Sequence, residues 1–132
     1  MILIDSSVWI AFFNGGEGSS VSTLEKLIEN EQDVYLSDYI LTEVLQGFRD
    51  EREYEEARRS LLRFPSARLR DRNSYIEAAQ IYRRCRREGI TVRKTADCLI
   101  AWTAIENDLY LLHQDKDFDR IASVCPLKIW GS

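Results

Sequence analysis

Short apolar runs recur along this chain with helical stretches between them, and that alternation constrains the fold more than any other feature. Ile2-Leu3-Ile4, VYLS at 34–37, YLLHQ at 110–114 and LKIW at 127–130 read as strands. Between them the spacing predicts helices over about 7–13 and 21–30, separated by the loop NGGEGSS, and a long helical region that YILTEVLQGF (39–48) opens and Pro65 must end. A weak strand is expected near 67–70. An arginine-rich helix stops at Gly89, another runs through Asn107, and FDRIASV (118–124) is a short one. Strands that alternate with helices form a mostly parallel sheet with right-handed crossovers, so the expected class is a three-layer α/β/α fold. At 132 residues there is chain for one core, and 1–132 reads as a single domain.

Such a sheet has a working edge. Ligands bind beyond the carboxyl ends of parallel strands, where helix N-termini also point. Asp5 ends the first strand and Asp115 follows the strand at 110–114. Asp97 stands near the start of its helix, on one stripe with Ile100, Ala101 and Ala104. Glu43 has Tyr39, Ile40 and Gly47 as its helical neighbours and borders the buried face. Each acid has an ordinary structural reading: Asp5 as an N-cap, Asp97 as a partner of the helix dipole, Glu43 as half of an ion pair, Asp117 and Asp119 as caps or solvated groups. Those readings supply no reason for four segments to bring carboxylates to one place. A divalent cation does, because hard Mg²⁺ or Mn²⁺ takes oxygen ligands and offsets the repulsion among them.

Charge narrows the partners. The net charge is −4, yet residues 58–94 hold twelve Arg and Lys against three acids, which makes that block +9 and the remainder −13. In YIEAAQIYRRCRREG, apolar groups at Tyr75, Ala78, Ala79, Tyr82 and Cys85 form a stripe that leaves Arg83, Arg84, Arg86 and Arg87 on other faces. That face reads either as solvated surface or as a patch that tracks RNA phosphates. No apolar stretch approaches the ~18 residues of a membrane span and no basic leader precedes the first apolar run, so a cytoplasmic protein with no membrane partner is expected. Three widely spaced cysteines without a CxxC point to neither a zinc site nor a disulfide framework. No GxGxxG or Walker pattern points to a nucleotide cofactor.

ILIDSSVWI, LTEVLQG and TADCLIAWTAIENDLYLLHQDKDFDRIA together resemble the PIN-domain ribonucleases, and within them the VapC-type toxins of toxin–antitoxin pairs. The resemblance runs over nearly the whole chain. It implies a PIN-like fold related to the 5′-nucleases, Mg²⁺- or Mn²⁺-dependent RNA cleavage by in-line attack of an activated water, a homodimer, and a VapB-type antitoxin. Carried over residue by residue, it places the catalytic, metal-binding acids on Asp5, Glu43, Asp97 and Asp115, with Asp117 as an accessory acid. His113 departs from the small hydroxyl common two residues before the strand-end aspartate, and His113 and Ser7 are the candidate helpers. The rival readings are a phosphohydrolase with an aspartyl nucleophile, which would want an aspartate where Ser7 stands, a receiver-like Mg²⁺-binding domain, and a non-catalytic RNA- or protein-binding relative.

Overall fold

A computed structural model describes residues 1–131. Four strands form one sheet, β1 (Ile2–Ile4), β2 (Val34–Tyr35), β3 (Tyr110–Leu112) and β4 (Lys128–Ile129), in the order β2-β1-β3-β4. Every pairing is parallel, with Ile2 opposite both Val34 and Tyr110 and Ile4 opposite Leu112. Ile2, Leu3, Ile4, Leu111 and Leu112 are all buried, as both faces of a parallel sheet between helices must be.

Seven helices accompany the sheet among the described residues: α1 (Ser6–Phe13), α2 (Ser19–Glu29), α3 (Asp38–Leu45), α4 (Glu51–Leu61), α5 (Arg72–Arg87), α6 (Thr95–Glu106) and α7 (Lys116–Ala122). They fall into two packed groups. α1 rests on α2 and α3, and α3 on α4; α5 rests on α6 and α7, and α6 on α7 and β3. The α/β/α layering expected from the alternation is therefore the observed one. Trp9, in contact with Phe12, Phe13 and Phe64, anchors the first group, and Phe118 is a large fully buried side chain of the second.

Local chemistry moves several boundaries. The long helical region expected before Pro65 holds two helices, because Asp50 accepts a hydrogen bond from the Glu53 N–H at 2.9 Å and so starts α4 afresh. No strand forms at 67–70. Ser66 makes one isolated parallel bridge to Leu36, whose N–H donates to the Pro65 carbonyl at 2.9 Å. α7 begins at Lys116 rather than 118, capped by Asp115, and this brings Asp117 into its first turn. On α5 the buried stripe is Ser74, Ala78, Ile81 and Cys85, so Tyr75, Ala79 and Tyr82 of the expected stripe lie outside.

Candidate metal centre and its basic rim

The strand ends and helix starts converge as parallel topology requires. Asp5 leaves β1 in an extended conformation and caps α1, its Oδ2 accepting from the Ser7 N–H at 3.1 Å and the Ser7 hydroxyl at 2.5 Å. The same hydroxyl accepts from the Gln114 N–H at 3.2 Å and ties the start of α1 to the turn after β3. Ser7 therefore spends its proton on Asp5. One turn of α3 presents Glu43, whose Oε1 accepts from the Ser6 hydroxyl at 3.0 Å. Burial pushes both Asp5 and Glu43 above the usual carboxylate range, against the hydrogen bonds from Ser7 and Ser6, and the Asp5 charge raises Glu43 further.

Asp97 is the most perturbed acid. It is 4% exposed, on the stripe whose Ile100, Ala101 and Ala104 are likewise buried, and its Oδ2 has no hydrogen-bond partner. Its pKa is pushed up to about 7, first by burial and then by the charges of Asp115, Asp5 and Asp117, with Lys94 pulling the other way. A buried carboxylate oxygen without a donor costs stability unless something cationic meets it. Carboxylate oxygens of Asp97, Asp115 and Asp117 all lie within 4.8 Å of one another, which is the spacing a single ion bridges. The donor set is all oxygen, the preference of Mg²⁺ and Mn²⁺. Asp5 lies beside this trio, near enough for its charge to raise Asp97, and Glu43 lies beside Asp5.

Asp115 and Asp117 differ despite their proximity. Asp115 caps α7 through the Asp117 N–H at 3.0 Å and faces Arg93 at 3.7 Å and Lys94 at 3.9 Å. Asp117 has no exposed surface, and both of its oxygens are engaged: Arg93 Nε reaches Oδ2 at 3.1 Å and Arg120 Nη1 reaches Oδ1 at 2.7 Å. Burial raises its pKa, but the hydrogen bonds and charges of the two arginines outweigh that and hold it below the usual range. The accessory acid of the sequence reading is thus an anchored carboxylate between two guanidiniums. Sequence reasoning missed the cationic rim of these two acids, Arg93 and Arg120 on Asp117 and Lys94 on Asp115. The i,i+3 spacing of Asp117 and Arg120 on one helix was the available signal.

His113 does not face the acids with a free nitrogen. Its Nδ1 accepts the Asp115 N–H at 3.1 Å, which leaves Nε2 to donate to Asp119 at 3.0 Å, and its ring lies 5.3 Å from Phe118. The ring thus braces the β3–α7 turn, and this geometry gives no support to the helper role expected of His113 from sequence. Arg83, Arg84, Arg86 and Arg87 are all exposed on α5; Arg83 bonds Gln80 at 2.7 Å, Arg84 the Val124 carbonyl at 3.3 Å, and Arg86 lies 5.8 Å from the Tyr82 ring. Arg83 also lines a groove of about 480 Å³ with Tyr75, Ala79, Tyr82 and Thr95. Thr95 is the first residue of α6, two positions before Asp97.

Residues 2–124 match the PIN domain family. The chain belongs to the PIN domain family. Among relatives of this PIN-domain chain, a VapC ribonuclease of Mycobacterium bovis and ribonuclease VapC11 of Mycobacterium tuberculosis are each 36% identical over 129 residues, covering 97% of this chain and 96% of theirs. Solved PIN-like folds resemble it over nearly its full length. FitAcB of Neisseria gonorrhoeae superposes with a TM-score of 0.74 at 23% identity, covering 99% of this chain and 97% of that one. VapBC2 of Rickettsia felis, bound to a promoter DNA fragment, gives 0.73 at 16% identity, covering 98% and 97%.

Proposed function

We propose that this PIN-domain chain is the ribonuclease toxin of a VapBC-type pair, cutting RNA with a divalent cation, Mg²⁺ or Mn²⁺, held by Asp5, Glu43, Asp97 and Asp115. The carrying observation is the buried, unpartnered Oδ2 of Asp97 among neighbouring carboxylates at the carboxyl edge of the sheet. Relatives named as VapC ribonucleases along the full length supply the reaction class. Bound there, the ion supplies Lewis-acid polarisation of the scissile phosphate and a lowered pKa for the attacking water. The protein residues supply position. Asp97 and Asp115 each bring one carboxylate oxygen within 4.8 Å of the other's, Ser7 fixes the rotamer of Asp5, and Ser6 fixes that of Glu43. Lys94, 3.9 Å from Asp115, stands where charge accumulates on a bound phosphodiester. With Asp5 buried and its Oδ2 committed twice to Ser7, the aspartyl-nucleophile and receiver-like readings have less support than the metal reading.

RNA would enter along the α5–α6 groove, with Arg83 and its neighbours on the phosphates and Tyr82 available for base stacking. Exposed Tyr39 and Ile76 offer apolar surface to a second copy of the chain, and a VapB-type antitoxin completes the cytoplasmic assembly. No helix among the described residues is long and apolar enough to cross a membrane. The deciding experiment incubates purified protein with single-stranded RNA. Cleavage is expected with Mg²⁺ or Mn²⁺ and none in excess chelator; full activity in chelator would overturn the metal reading.

A further inference from the structure

Arg93 and Arg120 come from different segments, one just before α6 and one within α7, yet both end on the fully buried Asp117 carboxylate. One guanidinium takes each oxygen, and Arg93 Nη2 also lies 3.7 Å from Asp115. Their side chains are nevertheless 67% and 52% exposed. An exposed arginine ordinarily samples many rotamers, whereas these two are tethered at one end by a buried, doubly bonded anion. Each guanidinium carries five N–H donors, and the tether uses only a minority of them. The unused donors border an open cleft of about 600 Å³ lined by Ser7, Arg93, Gln114, Asp115, Lys116 and Arg120.

The charge balance of that cleft is positive. One Asp117 charge stands against two guanidiniums, and Lys116 adds a third cation, while Asp115 is the one acid on the wall. The same Asp115 belongs to the acid trio, so this positive cleft begins where the candidate metal centre ends. A strand of nucleic acid placed with one phosphate at the acids must put the next one nearby, because its phosphates repeat with every nucleotide. Held guanidiniums with a planar fork of donors suit that group better than a flexible lysine does.

We propose that Arg93 and Arg120, positioned by Asp117, form a phosphate subsite that takes the phosphodiester adjacent to the one cleaved. The proposal rests on the ribonuclease reading and gives Asp117 the role of a positioning residue for both arginines.

The test uses Arg93→Gln, Arg120→Gln and the double variant, all at exposed side chains. Binding of a fluorescein-labelled single-stranded oligoribonucleotide of mixed sequence is titrated with Ca²⁺ across a salt series. Each substitution should reduce the slope of log K against log salt by about 0.7, and the double variant by about 1.4. Mn²⁺ affinity of the double variant, measured calorimetrically without RNA, should hold or rise, since only cations are removed. Once the cut position in a test RNA is mapped, a neutral methylphosphonate is placed at each flanking linkage in turn. One of the two should lower wild-type kcat/KM about tenfold or more and lower that of the double variant no further. If wild type cleaves RNA while the variants keep its salt slope, or lose only thermal stability, the subsite is overturned and the ribonuclease reading stands. If wild type neither binds nor cleaves RNA with Mn²⁺, both fall together.

Discussion

Replacing Asp97 by Asn in metal-free protein separates an ion-binding carboxylate from a structural one. The Asp97 carboxyl is pushed from its ordinary 3.8 to about 7, so in the folded state it holds a proton over a pH range where the unfolded chain has lost it. Stability from this group is full below about 3.8, drains away as pH rises to about 7, and stays lost above that. The gap corresponds to about 4 kcal/mol at 1.36 kcal/mol per pH unit, set first by burial and then by the neighbouring charges of Asp115, Asp5 and Asp117. Asparagine removes the charge but leaves a buried amide that costs about 1–3 kcal/mol where it finds no partner. The variant should therefore be about 1–3 kcal/mol more stable than wild type at pH 8 without metal, and no more stable at pH 4.5. Urea unfolding at both pH values, with and without Mg²⁺, reads this directly. Mg²⁺ should stabilise wild type at pH 8 and leave the variant nearly unchanged, and RNA cleavage should vanish. Asp119→Asn is the control, since it removes only the exposed partner of His113 and should shift stability by less than about 0.5 kcal/mol. An Asp97→Asn protein that is destabilised at pH 8 yet still cleaves RNA would refute the reasoning.

Neutralising Arg83, Arg84, Arg86 and Arg87 together to Gln should weaken RNA binding and flatten its salt dependence by up to about 2.8 in slope while the circular dichroism spectrum stays as in wild type; an unchanged slope would return that face of α5 to plain solvated surface. Glu106 accepts from the Ser74 hydroxyl at 2.6 Å, the Arg70 N–H at 2.9 Å and Trp102 Nε1 at 3.2 Å. Glu106→Gln should accordingly cost about 1.5–3 kcal/mol in urea unfolding while Mn²⁺ affinity holds, and a loss of Mn²⁺ binding would place the residue in the site instead.

The layering was legible because alternation of strand and helix leaves few topologies, and the convergence of Asp5, Asp97 and Asp115 because strand ends and helix starts meet at one edge, whereas Glu43, in the last turn of α3, was reached only through its place beside the buried face. What lay hidden were the contacts made across segments. The pairing of Asp117 with Arg93 spans 24 positions and has no local pattern, and the hydroxyl that Ser6 gives Glu43 spans 37. Asp50 restarting α4 was a missed local cap, since an Asp followed three residues on by Glu is a start signal. The stripe on α5 was misplaced because tyrosine counts as apolar in a periodicity argument, whereas Tyr75 and Tyr82 leave their rings outside and Ser74 turns inward to Glu106.

The short central strand β1 carries a consequence for how the molecule comes into being. Ile2 pairs with Val34 on one side and with Tyr110 on the other, so half of its hydrogen-bonding edge waits for a partner 108 positions later in translation. So distant a pairing requires the closure of a long loop before its contacts contribute, which places the docking of β3 late in assembly. Asp5 is at hand from the first turn of the chain, but Asp97, Asp115 and the arginines that flank them join it only when β3 docks. A nascent chain on its ribosome therefore carries the acids in separate pieces, and the complete centre exists only once most of the polypeptide has emerged.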